Sequence, residues 1–232
     1  MSSNLVALIL GAGPRVGASV AQSLASKGYQ IAVVTRNGTG AKTSEGYLSL
    51  QADFAEPDSI PALFEKVKAE FKAPPSVVVY NAASLTPPPD EQSVLSIPAE
   101  RVTIDLNINT VSAHVAAQEA VKAWETLPGD VKKTFIYTGN LLNKSILPMP
   151  LFLNLGVGKS ASAYLIGTAD ALYADKGYRF FYAGERKEDG SAASSALDGP
   201  AHGTFYASLA NHEGNIPWDA TFVKGKGYVK FE

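Results

Sequence analysis

Three glycines near the start of the chain have the spacing of a phosphate-binding turn. They lie in Gly11-Ala-Gly13-Pro-Arg-Val-Gly17, between an apolar run and a segment of helical period. Bare backbone lets a diphosphate approach closely, and the first N–H groups of the following helix bind its oxygens. Pro14 suits the first turn of that helix. This context favours dinucleotide binding over the alternative, an ordinary strand-to-helix turn.

Two arginines near this turn bear on whether the cofactor carries a phosphate at the 2′ position of its ribose. Arg36 follows Thr35 at the end of the second apolar run, where a carboxylate would select a free ribose 2′-hydroxyl. Guanidinium groups match phosphate oxygens in paired hydrogen bonds, so Arg36 favours a 2′-phosphate and hence NADP(H). We expect Arg15 to join Arg36 there and the adjacent Val16 to contact the cofactor. The alternative is that both arginines are solvated surface residues.

The elements that must position these residues follow from the apolar pattern. Short runs rich in β-branched and aromatic residues predict six strands, at 5–10, 30–35, 47–51, 76–80, 134–138 and 178–182. Segments of helical period predict helices at 14–27, 58–71, 99–124 and 158–175. This alternation predicts an α/β fold, a doubly wound and mostly parallel sheet (Rossmann fold) with helices on both faces. We expect one domain over 1–232, with the polar, glycine-rich stretch 184–203 as an active-site flap.

The motifs arrive in an order that resembles the short-chain dehydrogenase/reductase superfamily, from residue 5 to about residue 182. Asp53-Phe54 after the third strand looks like the superfamily's adenine-contacting acidic site. Tyr80-Asn-Ala-Ala83 resembles its Asn-Asn-Ala-Gly segment after the fourth strand. The resemblance implies cofactor contacts from Asp53, Phe54, Asn81 and Ala82.

The resemblance also assigns two residues to the reaction. Asn107 matches the helix asparagine that orients the superfamily's lysine through water, and Lys159 matches that lysine, which also holds the nicotinamide ribose. Members usually pair through the two helices that carry these residues, which implies a homodimer or homotetramer.

The chain departs from the superfamily pattern at three places. Gly139 stands where the catalytic serine is usual, with Thr138 just before it. Leu155-Gly-Val-Gly-Lys159 keeps the lysine of Tyr-x-x-x-Lys and replaces the tyrosine by leucine. Tyr182-Ala-Gly-Glu185 takes the place of the usual Pro-Gly. Four polar residues near predicted strand ends are candidates to replace the lost acid, namely Tyr137, Asn140, Asn143 and Tyr182. Thr138 is a further catalytic candidate beside the missing serine.

These departures bear on the reaction. A positioned acid contributes about 10²–10⁴-fold to carbonyl reduction, so its loss costs about 3–5 kcal/mol of barrier. An iminium accepts hydride without a proton. The chain is also similar to tyrosine-lacking fungal reductases of indole alkaloid assembly, which combine iminium reduction with Diels–Alder cyclisation. Their Pro-Asp-Pro-Gly-Trp corresponds to Pro148-Met-Pro-Leu-Phe152, which lacks the aspartate and the tryptophan.

Two functions therefore stay open at this point. The first is an NADP(H)-dependent reductase of an activated small molecule such as an iminium or imine. The second is a non-redox nucleotide-binding protein whose pocket serves cyclisation, isomerisation or sensing.

Composition argues against several other classes of protein. A net charge of −2 with scattered basic residues argues against nucleic acid as a partner. With no cysteine and three dispersed histidines, we expect no metal site. No apolar run approaches the length of about 20 residues that spans a bilayer. The first residues do not resemble a secretory leader, so we expect a cytoplasmic protein.

Overall fold

A computed structural model describes residues 4–231 of the chain and contains one eight-stranded sheet. Its strands are β1 Val6–Leu10, β2 Gln30–Thr35, β3 Leu48–Gln51, β4 Val77–Tyr80, β5 Lys133–Thr138, β6 Tyr178–Arg186, β7 Asp219–Val223 and β8 Gly227–Tyr228. Their spatial order is β3-β2-β1-β4-β5-β6-β7-β8. All neighbours pair in parallel except β7 and β8. The predicted mostly parallel sheet is confirmed, and the six predicted strands correspond to β1–β6.

Helices cover both faces of this sheet. They are α1 Val16–Ser26, α2 Ile60–Phe71, α3 Ala99–Leu106, α4 Ser112–Trp124, α5 Leu153–Tyr173 and α6 Gly199–Ala210. A π-helical turn, Asn107–Val111, joins α3 to α4, so the helical segment predicted at 99–124 is continuous. The strands read as unbroken apolar runs because a parallel sheet is buried on both faces.

Two apolar layers form the core. On one face, side chains of β4 and β5 pack against α2, α4 and α5 around Trp124 and Ile166. On the other face, alternate residues of the same strands pack against α1 and α6 around Leu24 and Phe205. Alternation along each strand therefore decides which helix layer a side chain faces.

The prediction of a flexible flap over 184–203 is wrong at both ends of that stretch. Residues 184–186 continue β6, and α6 begins at Gly199. The Asp198 side chain caps α6 by accepting a hydrogen bond from the Ala201 N–H at 2.8 Å. A Cβ at Gly199 or Gly203 would collide with α1. These glycines allow α6 to pack closely against α1. In the sequence, a glycine that serves close helix packing cannot be told from a glycine in a loop.

Candidate active site

The glycine turn and the carboxyl ends of β1, β4, β5 and β6 border one cavity of about 580 Å³. The order of strands places this cavity beside β1, where the chain crosses from one half of the sheet to the other. Ligands of doubly wound sheets bind at that switch point. The cavity is lined by parts of the turn, by the end of β5, by α5 and by the start of α6.

The glycine turn is held by backbone contacts that exclude side chains. Gly11 has φ +91°, and a Cβ there would lie 2.5 Å from the Ala82 nitrogen. Asn81 donates from Nδ2 to the Gly11 carbonyl at 2.8 Å and so ties the turn to the end of β4. A Cβ on Gly17 would meet the Cα of Ala12 at 2.5 Å. The turn thus needs glycine at 11 and 17 to close upon itself.

A second cavity of about 380 Å³ lies on the other side of the turn. The predicted cofactor contacts that line it are Gly11, Gly13, Arg36, Asp53, Phe54, Asn81 and Ala82. The two cavities share Gly13, Asn81 and Ala83. A ligand made of two parts, with one part in each cavity and the link between them at the glycine turn, fits this arrangement.

Arg15 does not lie where the sequence predicted it. It lines the larger cavity together with Val16, whereas Arg36 lines the smaller one. A Cβ on Gly199 would touch the Arg15 carbonyl at 2.5 Å, so Arg15 stands beside the start of α6. The physical reason is that α1 begins at Val16 and packs along α6, which carries Arg15 to that side. Arg15 and Arg36 therefore line different cavities.

Lys159 is a buried lysine that lines the larger cavity. Only 5% of its surface is exposed. Its Nζ donates to the Thr138 carbonyl at 2.7 Å and lies 4.5 Å from the ring centre of Tyr137. Burial without a carboxylate partner lowers the pKa of Lys159 to about 7. Leu155, one helical turn earlier, lines the same cavity.

Asn107 lies outside this cavity, which corrects the position expected for it. Its Nδ2 donates to the Ala55 carbonyl at 3.0 Å. Asn109 takes the buried place instead: its carbonyl accepts hydrogen bonds from the Tyr137 and Ser162 hydroxyls at 2.7 and 2.8 Å. The π-helical turn contains one residue more than a turn of α-helix. The spacing of an ordinary α-helix therefore does not predict which of the two asparagines faces inward.

Thr138 and Asn140 both line the larger cavity at the end of β5. The Tyr206 hydroxyl lies 3.0 Å from Thr138 Oγ1, so α6 supports that hydroxyl from behind. Asn140 accepts from the Leu142 N–H at 3.0 Å and thereby caps a short helical turn. Between them, a Cβ at Gly139 would overlap the ring of Tyr182. Tyr182 occupies the space that a side chain at 139 would need.

The sequence interpretation missed two polar residues in this cavity. Glu185, at the end of β6, and His202, on α6, are both buried and both line it. A charged residue within an apolar run was the available signal for Glu185, but the run was predicted to end at 182. His202 is four residues after the cap of α6, and that helix was not predicted.

A third, mainly apolar cavity of about 750 Å³ opens next to the larger of the two cavities at the glycine turn and exceeds it in volume. The two share Leu142, Leu147 and Phe152. Met149 is half-exposed and lines the third cavity but not the larger one. Within residues 4–231 there is no cluster of three or more potential metal ligands, and no helix there is long and apolar enough to cross a membrane.

Comparison with known proteins defines the class. The sequence profile described as enoyl-(acyl carrier protein) reductase matches residues 11–137. The chain is 40% identical over 244 residues to the short chain dehydrogenase/reductase dmxR12 of Cryptosporiopsis sp. (strain 8999), which covers 100% of this chain and 96% of that relative. The chain belongs to the short-chain dehydrogenase/reductase superfamily.

Solved structures share the fold. A variant of a short-chain dehydrogenase/reductase from Serratia marcescens superposes with a TM-score of 0.77 at 19% identity, over 96% of this chain and 97% of that one. A short chain dehydrogenase from Burkholderia cenocepacia in complex with NADP gives a TM-score of 0.75 at 17% identity, over 97% of each chain. At these identities the likeness concerns the architecture alone.

Proposed function

We propose that the chain is an NADP(H)-dependent reductase of an activated small molecule, an imine or iminium, and that it works without a tyrosine proton donor. One observation carries this proposal. The Lys159 ammonium group is buried in the cavity that begins at the glycine turn, and Leu155 stands beside it at the tyrosine position of Tyr-x-x-x-Lys. The site keeps the cation of its superfamily and lacks the acid.

The residues fit a dinucleotide phosphate. The glycine turn offers bare backbone that a Cβ would fill, at the start of α1. The smaller cavity suits the adenosine half, with Arg36 for the 2′-phosphate and Asp53 and Phe54 nearby. The larger cavity then takes the nicotinamide half, which supplies a hydride when bound. Lys159 would hold the ribose of that half.

The substrate side of the site is mainly apolar. Leu155 and Phe152 offer no proton, so proton donation in the cavity is left to groups other than a tyrosine, among them Lys159, the Thr138 hydroxyl and Glu185. An iminium needs no proton when it accepts hydride, whereas a ketone does. The site therefore favours C=N over C=O at the step where charge would build on oxygen.

Turnover of matched substrates tests this function. We expect loss of NADPH absorbance with cyclic imines and iminium salts, faster than with ketones of the same shape by about 10²–10⁴-fold. Leu155→Tyr should raise ketone reduction, and Leu172→Tyr, at an exposed position of the same helix, should leave it unchanged. Tight NADPH binding without turnover of either class would contradict the proposal.

A non-redox role is the second candidate. It is favoured by the contact of Tyr182 with Gly139, because this packing leaves no room for the serine of the superfamily. Such a protein would bind the dinucleotide and use the apolar cavity for cyclisation, isomerisation or sensing. Conversion of a substrate with no net consumption of NADPH would distinguish it from the reductase.

A further inference from the structure

The larger cavity has two chemically different walls. α5 contributes Lys159 on one side, and the start of α6 lies on the other. Along β6, Tyr182 packs in the layer of α5 and Ala183 in the layer of α1 and α6. Glu185 follows Ala183 by two residues, so its side chain points to the α6 side. A ligand in this cavity lies between a cationic and an acidic wall.

Glu185 is buried without a cation of its own. Its exposed fraction is 5%, and Oε2 accepts a hydrogen bond from the Asp198 N–H at 2.8 Å. Burial raises the pKa of this carboxyl above its ordinary value. Within residues 4–231, no lysine or arginine forms an ion pair with it.

His202 does not neutralise Glu185 either. Its Nδ1 lies 2.7 Å from the Asp198 carbonyl and 3.5 Å from Glu185 Oε2, so we assign the proton to Nδ1. Nε2 is buried and has no hydrogen-bond partner. Burial lowers the pKa of His202, which keeps the ring neutral.

The remaining charged groups around Glu185 are already engaged or stand further away. Lys224 pairs with Asp198 at 2.5 Å. The Arg186 guanidinium donates to the Glu185 carbonyl at 3.4 Å, not to the carboxyl. Arg15 is exposed and lines the same cavity, Tyr206 packs behind, and Lys159 belongs to the opposite wall. Burial raises the pKa of Glu185 more than the charges of Lys224 and Arg15 lower it, and neither of these residues forms an ion pair with the carboxyl. The carboxyl therefore still favours a direct cationic partner on the cavity side.

We propose that Glu185 is a charge-selective contact for the oxidised nicotinamide ring, so that the site binds NADP⁺ in preference to NADPH. This inference rests on the proposed function, because it requires the nicotinamide half in the larger cavity. The ring of NADP⁺ carries one positive charge and that of NADPH carries none. Arg15 and Val16 of the glycine turn line the same cavity as Glu185, so a dinucleotide bound at the turn can reach this carboxyl.

Stabilisation of the oxidised ring favours hydride donation to the substrate. It also links binding to protonation. Burial raises the pKa of Glu185, and the fraction of the carboxyl that is protonated releases its proton to solvent when a cation arrives. The affinity for NADP⁺ should therefore rise with pH as Glu185 ionises. The phosphates are common to NADP⁺ and NADPH, so their titration cancels in the ratio of the two affinities.

Calorimetric titration of the full chain with NADP⁺ and with NADPH, at several pH values and in two buffers of different ionisation heat, tests this inference. In the wild type we expect the ratio of NADP⁺ to NADPH affinity to rise with pH, with proton release on NADP⁺ binding. Glu185→Gln keeps an acceptor for the Asp198 N–H and should lower the ratio about tenfold, the equivalent of one pKa unit. The rise of the ratio with pH should also become smaller, and the part that remains should come from Lys159, whose pKa is about 7.

Glu188→Gln is the matched control, because Glu188 is exposed and pairs with Lys226 outside the cavity. It should leave the ratio unchanged. Equal weakening of both cofactor forms by Glu185→Gln would overturn the inference and leave the proposed function standing. Binding of neither form to the wild type would overturn both. If Glu185→Gln does not fold, a ratio in the wild type that is flat with pH and without proton release overturns the inference alone.

Discussion

At the scale of single residues, burial of Lys159 in the site lowers the stability of the fold when this lysine is charged. Lys159 has the Thr138 carbonyl and the Tyr137 ring as partners and no carboxylate. Its pKa is lowered to about 7 from an ordinary 10.5. The folded state therefore disfavours the charged form, and the cost is full below pH 7 and declines as the pH rises to 10.5.

Replacement of this lysine should separate stability from function. Lys159→Met should raise the free energy of unfolding at pH 7 by about 3 kcal/mol, because an unpaired buried charge is removed. The gain should shrink as the pH rises towards 10. Urea unfolding at several pH values measures it, with Lys68→Met at an exposed site as control. Binding of NADPH should weaken in the same variant, and a loss of stability at pH 7 would contradict the argument.

The contact between Gly139 and Tyr182 gives a second prediction at this scale. Gly139→Ala should destabilise the fold by about 1–3 kcal/mol, since its Cβ would overlap a ring that is buried. Tyr182→Val removes the ring and leaves a cavity. The double variant should therefore lose less stability than the sum of the two single variants, by about 0.5–3 kcal/mol. Additive losses in denaturant unfolding would mean that the two side chains do not compete for space.

At the scale of elements, the π-helical turn between α3 and α4 decides which asparagine is structural. Asn109 accepts from the Ser84 N–H at 2.9 Å and donates to the Ser84 carbonyl at 2.7 Å. A Cβ at Gly158 would lie 2.5 Å from Asn109 Cβ, so α5 packs tightly on this turn. Asn109 thus joins α5 and the segment after β4, which borders the smaller cavity.

Two alanine variants test this assignment. Asn109→Ala should lower the free energy of unfolding by about 2–3 kcal/mol, because it removes two hydrogen bonds and leaves the half-buried Ser84 backbone groups without these partners. It should also weaken NADPH binding through the displaced Ser84 segment. Asn107→Ala removes one hydrogen bond at a half-buried site and should cost about 1 kcal/mol or less. The reverse order in thermal or urea unfolding would restore Asn107 to the role first predicted for it.

At the scale of the whole molecule, apolar side chains remain exposed on the outer helices. Tyr164 and Leu172 of α5 are 81% and 75% exposed, and Val111 of the π-helical turn is 41% exposed. Exposed apolar groups on neighbouring helices are typical of an interface between copies. The predicted homodimer or homotetramer through these helices stays a prediction.

Sedimentation or light scattering of the full chain measures that assembly. We expect a dimer or tetramer, and Tyr164→Glu with Leu172→Glu should shift it towards the monomer because charge would be buried at the contact. Leu95→Glu, at an exposed residue of the segment before α3, should leave the assembly unchanged. A wild type that is monomeric at high concentration would contradict this prediction.

The sequence by itself determined the class of sheet, the six strands β1–β6, the glycine turn and the lysine of the site. The sheet, the strands and the turn depend on periodicity and on residues close together in the chain, which report the backbone path and burial, whereas the lysine came from the resemblance to the superfamily. Only the tertiary structure decided which side chains meet. It placed Arg15 beside α6, away from Arg36, chose Asn109 over Asn107, and turned part of the predicted flap into a helix. Glu185 and His202 meet because β6 and α6 converge at one edge of the sheet, and side-chain directions there depend on packing between distant segments.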